Sequence, residues 1–421
     1  MSTAADKEFF ACLALRHCPG LGPRRALPLL THYGTAYDAV QDAGRWLGLG
    51  LLREPDLARS FLAEAWRPEA EEEFRAARTL GLSRLCWGDA RYPELLRQIP
   101  DPPLVLYYAG DAGLLANPAV AVVGARECTN LGLTSAERIS AGLSAAGVTV
   151  VSGLAVGIDR QAHLGGLSGP GSSIAVLGAG LDLDYPPQNA DVRKVLVERG
   201  LVLTEYGPGT PPRPSNFPVR NRIISGLSLG VVVAEAASKS GSLITARLAL
   251  DQGREVFAVP GPLGQPAFVG CNDLIRQGAC LVDKAEDILE SLRFALRLSL
   301  GDLPPAPPDF RAPDLPPARP QQEEPLRPVR PAKAKGKAKA AKPRQQRPGP
   351  EIPADLPPLE RDLLGLLRRD RKAHIDVLCR ELGRGSAEVG SALLLLEMKS
   401  LIRQWPGMCY TLFEAEEAYG N

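Results

Sequence analysis

Excess charge of one sign is absent: the 421-residue chain carries a formal net charge of only +1, so any surface for a polyanion has to be local. No apolar run is long enough to span a bilayer. The stretch from Met1 to Phe10 lacks the apolar segment of a signal peptide. These two absences predict a cytoplasmic protein with no membrane partner. The eight cysteines, Cys12, Cys18, Cys86, Cys128, Cys271, Cys280, Cys379 and Cys409, form no C-x-x-C pair, and there are only four histidines. The expectation is reduced thiols and no metal site. The named nucleotide motifs are missing too. There is no G-x-x-x-x-G-K-[ST], which argues against a P-loop ATPase, and Gly178-Ala-Gly180 lacks the third glycine of the dinucleotide fingerprint. No cofactor is expected, and no His and Asp are arranged to activate a serine.

What is present is organised in four parts. Residues 1–85 read as short helices. Within them Cys18-Pro-Gly-Leu-Gly-Pro-Arg-Arg-Ala-Leu27 has the Gly-rich turn of a helix-hairpin-helix element, or of a plain helix connector, with Arg24 and Arg25 in the first turn of the following helix. Residues 86–298 alternate strands and helices. The strand candidates are Leu104–Tyr107, Ala119–Val123, Thr149–Val151, Ile174–Leu177, Leu201–Thr204, Gly230–Ala234 and Val256–Val259. They are apolar and rich in β-branched residues, as strands buried on both faces are, with helical patterns such as Ser135–Ala146 and Leu243–Gln252 between them. This predicts an α/β fold with a doubly wound, mainly parallel sheet.

Residues 299–352 read as a disordered linker. Fourteen prolines fall within 301–350, and nine Lys or Arg with no acid lie between Arg327 and Arg347. That basic run suits either a tether or an electrostatic arm on nucleic acid. Residues 353–415 predict a winged-helix-like domain. Leu359–Arg368 and Ile375–Glu381 read as helices. A third helix, capped by Ser386, runs to Lys399, and a hairpin follows over Leu401–Trp405 and Met408–Leu412. The third helix holds two acids and one terminal base, which favours a protein partner over duplex DNA.

Ligands of an open parallel sheet bind beyond the carboxyl ends of its strands. Five of the six segments that follow the core strands have Gly within three residues, including Gly124, Gly153, Gly178 and Gly207, and the remaining one carries Lys239-Ser-Gly-Ser242. So many small residues on one rim predict a phosphate-bearing ligand. Arg220, Asn221 and Arg222 open a helix, and Arg126 and Lys239 come from two other loops. Four such cations suit a polyanion backbone. Arg220 has the alternative of pairing with Glu205 or Glu235. Asp159 and His163, four apart, read either as a functional pair or as a helix cap and a packed ring.

These motifs together resemble the DprA/Smf family. The resemblance lies in Val122-Val-Gly-Ala-Arg126, Ser152-Gly-Leu-Ala-Val-Gly-Ile-Asp-Arg-Gln-Ala-His163, Ile174-Ala-Val-Leu-Gly-Ala-Gly-Leu-Asp182 and Tyr185-Pro-Pro-Gln-Asn189. It continues through Asn216-Phe-Pro-Val-Arg-Asn-Arg-Ile-Ile-Ser-Gly-Leu227, Ser240-Gly-Ser-Leu-Ile-Thr-Ala246, Gly253-Arg-Glu-Val-Phe-Ala-Val-Pro-Gly261 and Gly270-Cys-Asn-Asp-Leu-Ile-Arg-Gln-Gly-Ala279. The resemblance implies an extended Rossmann core that binds single-stranded DNA, forms a homodimer and loads RecA recombinase during natural transformation, with single-strand-binding protein as a further partner. It implies DNA contacts at Gly124, Arg126, Ser152, Gly153, Gly178, Asn216, Arg220, Asn221, Arg222, Lys239, Ser240, Gly241 and Ser242. It implies dimer contacts at Leu274, Ile275, Ile288 and Leu289. Pro187 and Gln188 stand where many relatives carry a basic residue, and Ala125 stands where many have Ser. Two enzymatic readings compete. In one, the chain is a nucleotide phosphoribohydrolase of the lysine-decarboxylase-like superfamily, but Ser240-Gly-Ser-Leu-Ile-Thr-Ala-Arg247 lacks that superfamily's Glu. In the other, Asp182, Glu205 and Glu235 form a nuclease metal site. The expectation is a non-enzymatic protein.

Overall fold

A computed structural model describes residues 3–300, 356–370, 373–399, 401–405 and 409–412. The linker expectation for 299–352 lies almost entirely outside these residues. The chain divides into two compact units, 1–327 and 328–421.

In the first unit, nine strands make one sheet: β1 (Ser83–Cys86), β2 (Val105–Gly110), β3 (Ala119–Gly124), β4 (Thr149–Ser152), β5 (Ser173–Val176), β6 (Leu201–Thr204), β7 (Gly230–Glu235), β8 (Glu255–Ala258) and β9 (Cys280–Leu281). Their order is β1-β2-β6-β5-β4-β3-β7-β8-β9. From β6 to β9 all neighbours are parallel, and β1 and β2 continue the sheet antiparallel. Successive residues of the central strands enter opposite cores. Ala119, Ala121 and Val123 of β3, with Val231 and Val233 of β7, pack into one core, while Val120, Val122, Val232 and Ala234 pack into the other. Burial on both faces is why these strands read as unbroken apolar runs. All seven strand candidates are present. The chain adds β1 and the two-residue edge strand β9.

Helices α1 (Ala4–His17), α2 (Gly22–Tyr33), α3 (Ala36–Gln41), α4 (Pro55–Leu62) and α5 (Arg67–Thr79) precede β1. They share a core with the sheet. Phe9 meets Tyr107 of β2 edge to face, with ring centroids 6.1 Å apart. Glu73 of α5 accepts from Tyr107 Oη at 2.6 Å and from Arg16 Nη1 at 2.9 Å, with His17 Nε2 2.6 Å from its other oxygen. The boundary expected at residue 85 falls inside β1. In the turn before α2, the Arg25 guanidinium donates to the Gly20 carbonyl and pairs with Glu54.

Between and after the strands lie α6 (Glu94–Arg97), α7 (Asn130–Ala145), α8 (Ile158–Gly166), α9 (Ala190–Arg199), α10 (Asn216–Gly226), α11 (Ser242–Asp251), α12 (Val269–Arg276), α13 (Ala285–Ser291) and α14 (Arg293–Leu300). The second unit holds α15 (Pro358–Asp370), α16 (Ile375–Leu382) and α17 (Ser386–Met398), with β10 (Ala373–His374), β11 (Ile402–Trp405) and β12 (Cys409–Leu412) in the order β10-β12-β11. Leu363, Leu367, Leu378, Leu393 and Leu396 fill its core. Three helices and a hairpin make the winged helix that the sequence predicts. The residue capping α17 is Gly385, and Ser386 is the first helical residue. Among the described residues no helix is long and apolar enough to cross a membrane.

Candidate nucleic-acid interface

The order of the sheet reverses between β3 and β7: β4, β5 and β6 build outward on one side of β3, and β7 starts the other. Loops after β3 and β7 therefore splay apart and leave a crevice. A groove of about 780 Å³ occupies that point. Its walls are Gly124–Glu127 after β3, Ala237–Ser242 and Thr245 at the start of α11, and Phe217, Arg220, Asn221 and Ile224 of α10. The spacing of 217, 220, 221 and 224 is one helical stripe, so α10 presents a single face to the groove.

Arg126 and Lys239 are exposed on opposite walls. Among the described residues neither has a carboxylate partner, and the Arg126 guanidinium lies over the Phe217 ring, 5.4 Å from its centroid. Gly241 caps α11, and a Cβ added there would meet nothing within 4 Å, so a ligand has open access to that helix N-terminus. The Ser240 and Ser242 hydroxyls are 2.8 Å apart beside it. Asn221 is half-buried on the groove wall. The groove also contains two acids, exposed Glu127 and buried Asp159.

Arg220 is 4% exposed, and its Nε and Nη1 have no hydrogen-bond acceptor. Burial pulls its pKa down to about 10, with attraction from Asp159 opposing and repulsion from Arg126 adding, so it stays cationic at neutral pH. It pairs with neither Glu205 nor Glu235. Asp159 is turned onto the β4–α8 loop, where its Oδ2 accepts from the amides of Gly153 at 3.1 Å and Ala155 at 3.4 Å. Burial raises its pKa against the pull of Arg220 and those amides. His163 Nε2 accepts from the Leu154 amide at 3.2 Å, and Nδ1 faces Ser173 Oγ at 2.7 Å. Burial and Arg220 lower its pKa to about 3, so the ring is neutral. Asn189 Nδ2 donates to the carbonyls of Leu154 and Ala155. Three buried side chains thus hold a loop in which Leu154 has φ 55° and Gly157 φ 83°. Asp159 and His163 are loop holders, the plainer of their two readings.

Several expected DNA contacts stand elsewhere. Arg222 leaves the groove stripe, because two residues along a helix turn the side chain by roughly 200°. Its guanidinium forms a two-pronged pair with Glu205 at 2.5 and 2.7 Å and reaches Asp101 at 3.2 Å. Ser152 is fully buried and donates to the Val122 carbonyl. Asn216 Nδ2 ties the start of α10 to the carbonyls of Gly178 and Pro211. The space beside Gly124, Gly153 and Gly178 is taken by this chain's own Ile158, Arg220 and Phe217, where a Cβ would collide at 2.7, 1.8 and 2.9 Å. These glycines admit side chains that build the site, and the Gly153 amide is already used by Asp159. Of the expected dimer contacts, Ile288 is fully buried in the core, so it has no surface to offer; Leu274, Ile275 and Leu289 are partly buried.

The three acids of the nuclease reading are apart in function. Asp182 accepts from the Gly209 amide, Glu205 pairs with Arg222, and Glu235 accepts from the Thr129 amide and hydroxyl. Among the described residues no cluster of three His, Cys, Asp or Glu is placed to hold a metal. Sequence reasoning missed Phe217 and Tyr185, whose rings wall the site with centroids 5.8 Å apart. A lone aromatic after a loop carries no periodic signal.

The family model for DNA recombination-mediator protein A matches residues 83–293, and that for the DprA winged helix domain matches residues 347–408. The chain is 47% identical over 206 residues to the DNA processing protein DprA of Streptococcus pneumoniae, covering 49% of this chain and 73% of that protein. It is 39% identical over 338 residues to protein Smf of Escherichia coli, covering 77% and 79%. The X-ray structure of DNA processing protein A from Streptococcus pneumoniae superposes with a TM-score of 0.58 at 36% identity, covering 69% of this chain and 98% of that one.

Proposed function

The chain belongs to the DNA recombination-mediator protein A family, the DprA/Smf proteins, and from that premise we propose that it binds single-stranded DNA in the groove between β3 and β7 and delivers the strand to RecA. The observation that carries the reading is the pair of exposed cations, Arg126 and Lys239, without a carboxylate partner among the described residues, which come from the loops after β3 and β7 and line the groove at the sheet's switch point beside the open N-terminus of α11. Arg220 reinforces the positive field from behind. Phosphates crossing this groove gain charge-assisted contacts and release counterions, a mode that does not depend on base sequence. A single strand can bend its phosphates into a crevice of this size, whereas the rigid double helix cannot.

The protein acts here without catalysis. The Ser240–Arg247 loop has no carboxylate to support glycosidic cleavage, and each acid at a strand end is engaged in holding a loop. The phosphoribohydrolase reading is therefore not favoured. Delivery to RecA, cooperation with single-strand-binding protein and self-association through the α12 end of the sheet rest on the family resemblance, and a cytoplasmic location fits them.

The test is titration of purified protein on a labelled single strand and on the matching blunt duplex at moderate salt, with RecA filament assembly followed in parallel. Preference for the single strand and faster filament assembly are expected. Equal affinity for both DNAs would overturn the reading.

A further inference from the structure

Arg126 stands on a short segment, Ala125–Thr129, that joins β3 to α7, and one residue of β7 holds both ends of it. The Ala125 amide donates to the Glu235 carbonyl at 2.9 Å. At the other end, the Glu235 carboxylate accepts from the Thr129 hydroxyl at 2.7 Å and from the Thr129 amide at 3.0 Å. The pairing of β3 with β7 slips at this point: Val123 faces Val233 and Gly124 faces Glu235, so Ala234 is one residue extra. Such a bulge re-aims the side chain that follows it. Gly132, in the first turn of α7, leaves the room, because the carboxylate occupies the place of its missing Cβ. From the opposite side the Ile158 amide donates to the Ala125 carbonyl at 3.1 Å, and a Cβ at Gly157 would meet the Ala125 and Arg126 carbonyls within 2.6 Å. Cys128 is buried in the core, so Arg126 and Glu127 are the segment's exposed residues.

Glu235 is fully buried, and among the described residues no cation pairs with it. Burial raises its pKa, and the two Thr129 donors oppose that rise. The Cys128 and Cys271 thiols near it are pushed up to about 12 by burial and stay neutral. A buried carboxylate without a counter-cation is costly, so packing alone does not account for it. Its use lies in the hydrogen bonds. The Thr129 hydroxyl caps α7 by accepting from the Gly132 amide, and the same hydroxyl donates to Glu235. A partner that can only accept fixes the direction of that hydroxyl and keeps its lone pair on the helix. The positive end of the sixteen-residue α7 favours the charge. Building on the proposed function, we propose that Glu235 is a positioning residue for the bound strand: it clamps both ends of Ala125–Thr129, holds Arg126 over Phe217 at the groove wall, and thereby sets the phosphate contact that Arg126 makes. Glu235 acts through Arg126, since it is fully buried and lies outside the groove's walls.

The test is a double-mutant cycle on the full chain, read as affinity for an oligothymidylate over a salt series, with a thermal melt of each variant. Glu235→Ala should weaken binding about tenfold and flatten the salt slope by about 0.7, as the loss of one phosphate contact does. In the Arg126→Ala background the same change should alter affinity by less than about twofold, whereas in the Lys239→Ala background the two losses should add. Glu235→Gln restores an acceptor for the Thr129 hydroxyl and should recover the slope. Should Glu235→Ala melt below the assay temperature, Thr129→Val and Thr129→Ser make the same comparison from the other partner. Val removes the donor and should flatten the slope by the same increment, and Ser keeps the donor and should retain the slope. Full affinity and slope in a folded Glu235→Ala would overturn the inference, and so would an equal loss with and without Arg126. Both results leave the groove reading intact. Unchanged binding by Arg126→Ala would instead overturn the groove reading itself, and this inference with it.

Discussion

Four arginines and lysines of similar appearance in the sequence divide, residue by residue, into three roles. Among the described residues, Arg126 and Lys239 are exposed with no carboxylate partner, Arg220 is buried with Nε and Nη1 lacking an acceptor, and Arg222 is buried in an ion pair. Changing Arg126 or Lys239 to Ala should weaken single-strand binding by ~1–2 kcal/mol and flatten the salt slope by about 0.7, without altering the melting temperature. Arg222→Ala should do the reverse. It strands Glu205 in a site where the two side chains are 15% and 6% exposed, and it should cost ~3–5 kcal/mol of stability. Fluorescence anisotropy across a salt series, with a thermal melt beside it, separates the two. His163 supplies a pH test. Its pKa is near 3 in the fold, against about 6.5 in an unfolded chain. The unfolded state therefore binds the extra proton first, and stability falls as pH drops below about 6.5, by up to ~1.4 kcal/mol per unit. His163→Gln should lower stability at neutral pH yet lose this slope between pH 6.5 and 5, where ordinary carboxylates stay ionised. An unchanged slope in denaturant melts would contradict the assignment.

Among the elements, α5 holds the N-terminal helices to the sheet through Glu73, which meets Arg16, His17 and Tyr107 together. Burial pushes the Glu73 carboxyl up, but these partners outweigh it and hold the pKa below the ordinary value. Glu73→Ala should therefore destabilise the N-terminal helices and the sheet as one cooperative unit, by ~3–5 kcal/mol in a urea melt, with no separate early transition. The elements themselves were legible to different degrees. β3 to β8 announce themselves because burial on both faces demands unbroken apolar runs. β9 has two exposed residues and takes its place from pairing with β8, so no local pattern marks it. β1 is half polar along its length, and only its pairing with β2 makes it a strand. For the site, which loops gather was readable from strand ends, but facing was not. Arg220 and Arg222 look equivalent in a line of sequence and lie on different sides of α10. Asn216, Ser152 and the rim glycines carry the right chemistry for phosphates, yet tertiary packing uses that chemistry inside the protein.

Taken whole, the first unit has its groove at the β3–β7 switch point, inside the sheet, and the proposed self-association surface lies toward the β9 edge. Leu274 and Ile275 of α12 are only partly buried, and Leu281 and Phe294 in the same late segment are 52% and 75% exposed. Light scattering at micromolar concentration should report a dimer. Ile275→Glu should yield folded monomer, whereas Ile288→Glu should unfold the chain because that side chain is core. A monomeric wild type would refute the surface.

Whether the groove or the basic linker binds the strand is decided by single-strand affinity over a salt series. Three proteins are needed: the intact chain, the Arg126→Ala/Lys239→Ala double variant, and a chain ending at residue 300. The double variant is expected to lose most of its affinity and about 1.4 from its salt slope, at about 0.7 per phosphate contact, while the shortened chain stays close to the intact protein. A double variant that binds as well as the intact chain, together with a shortened chain that does not bind, would contradict the groove reading and assign the DNA to the linker.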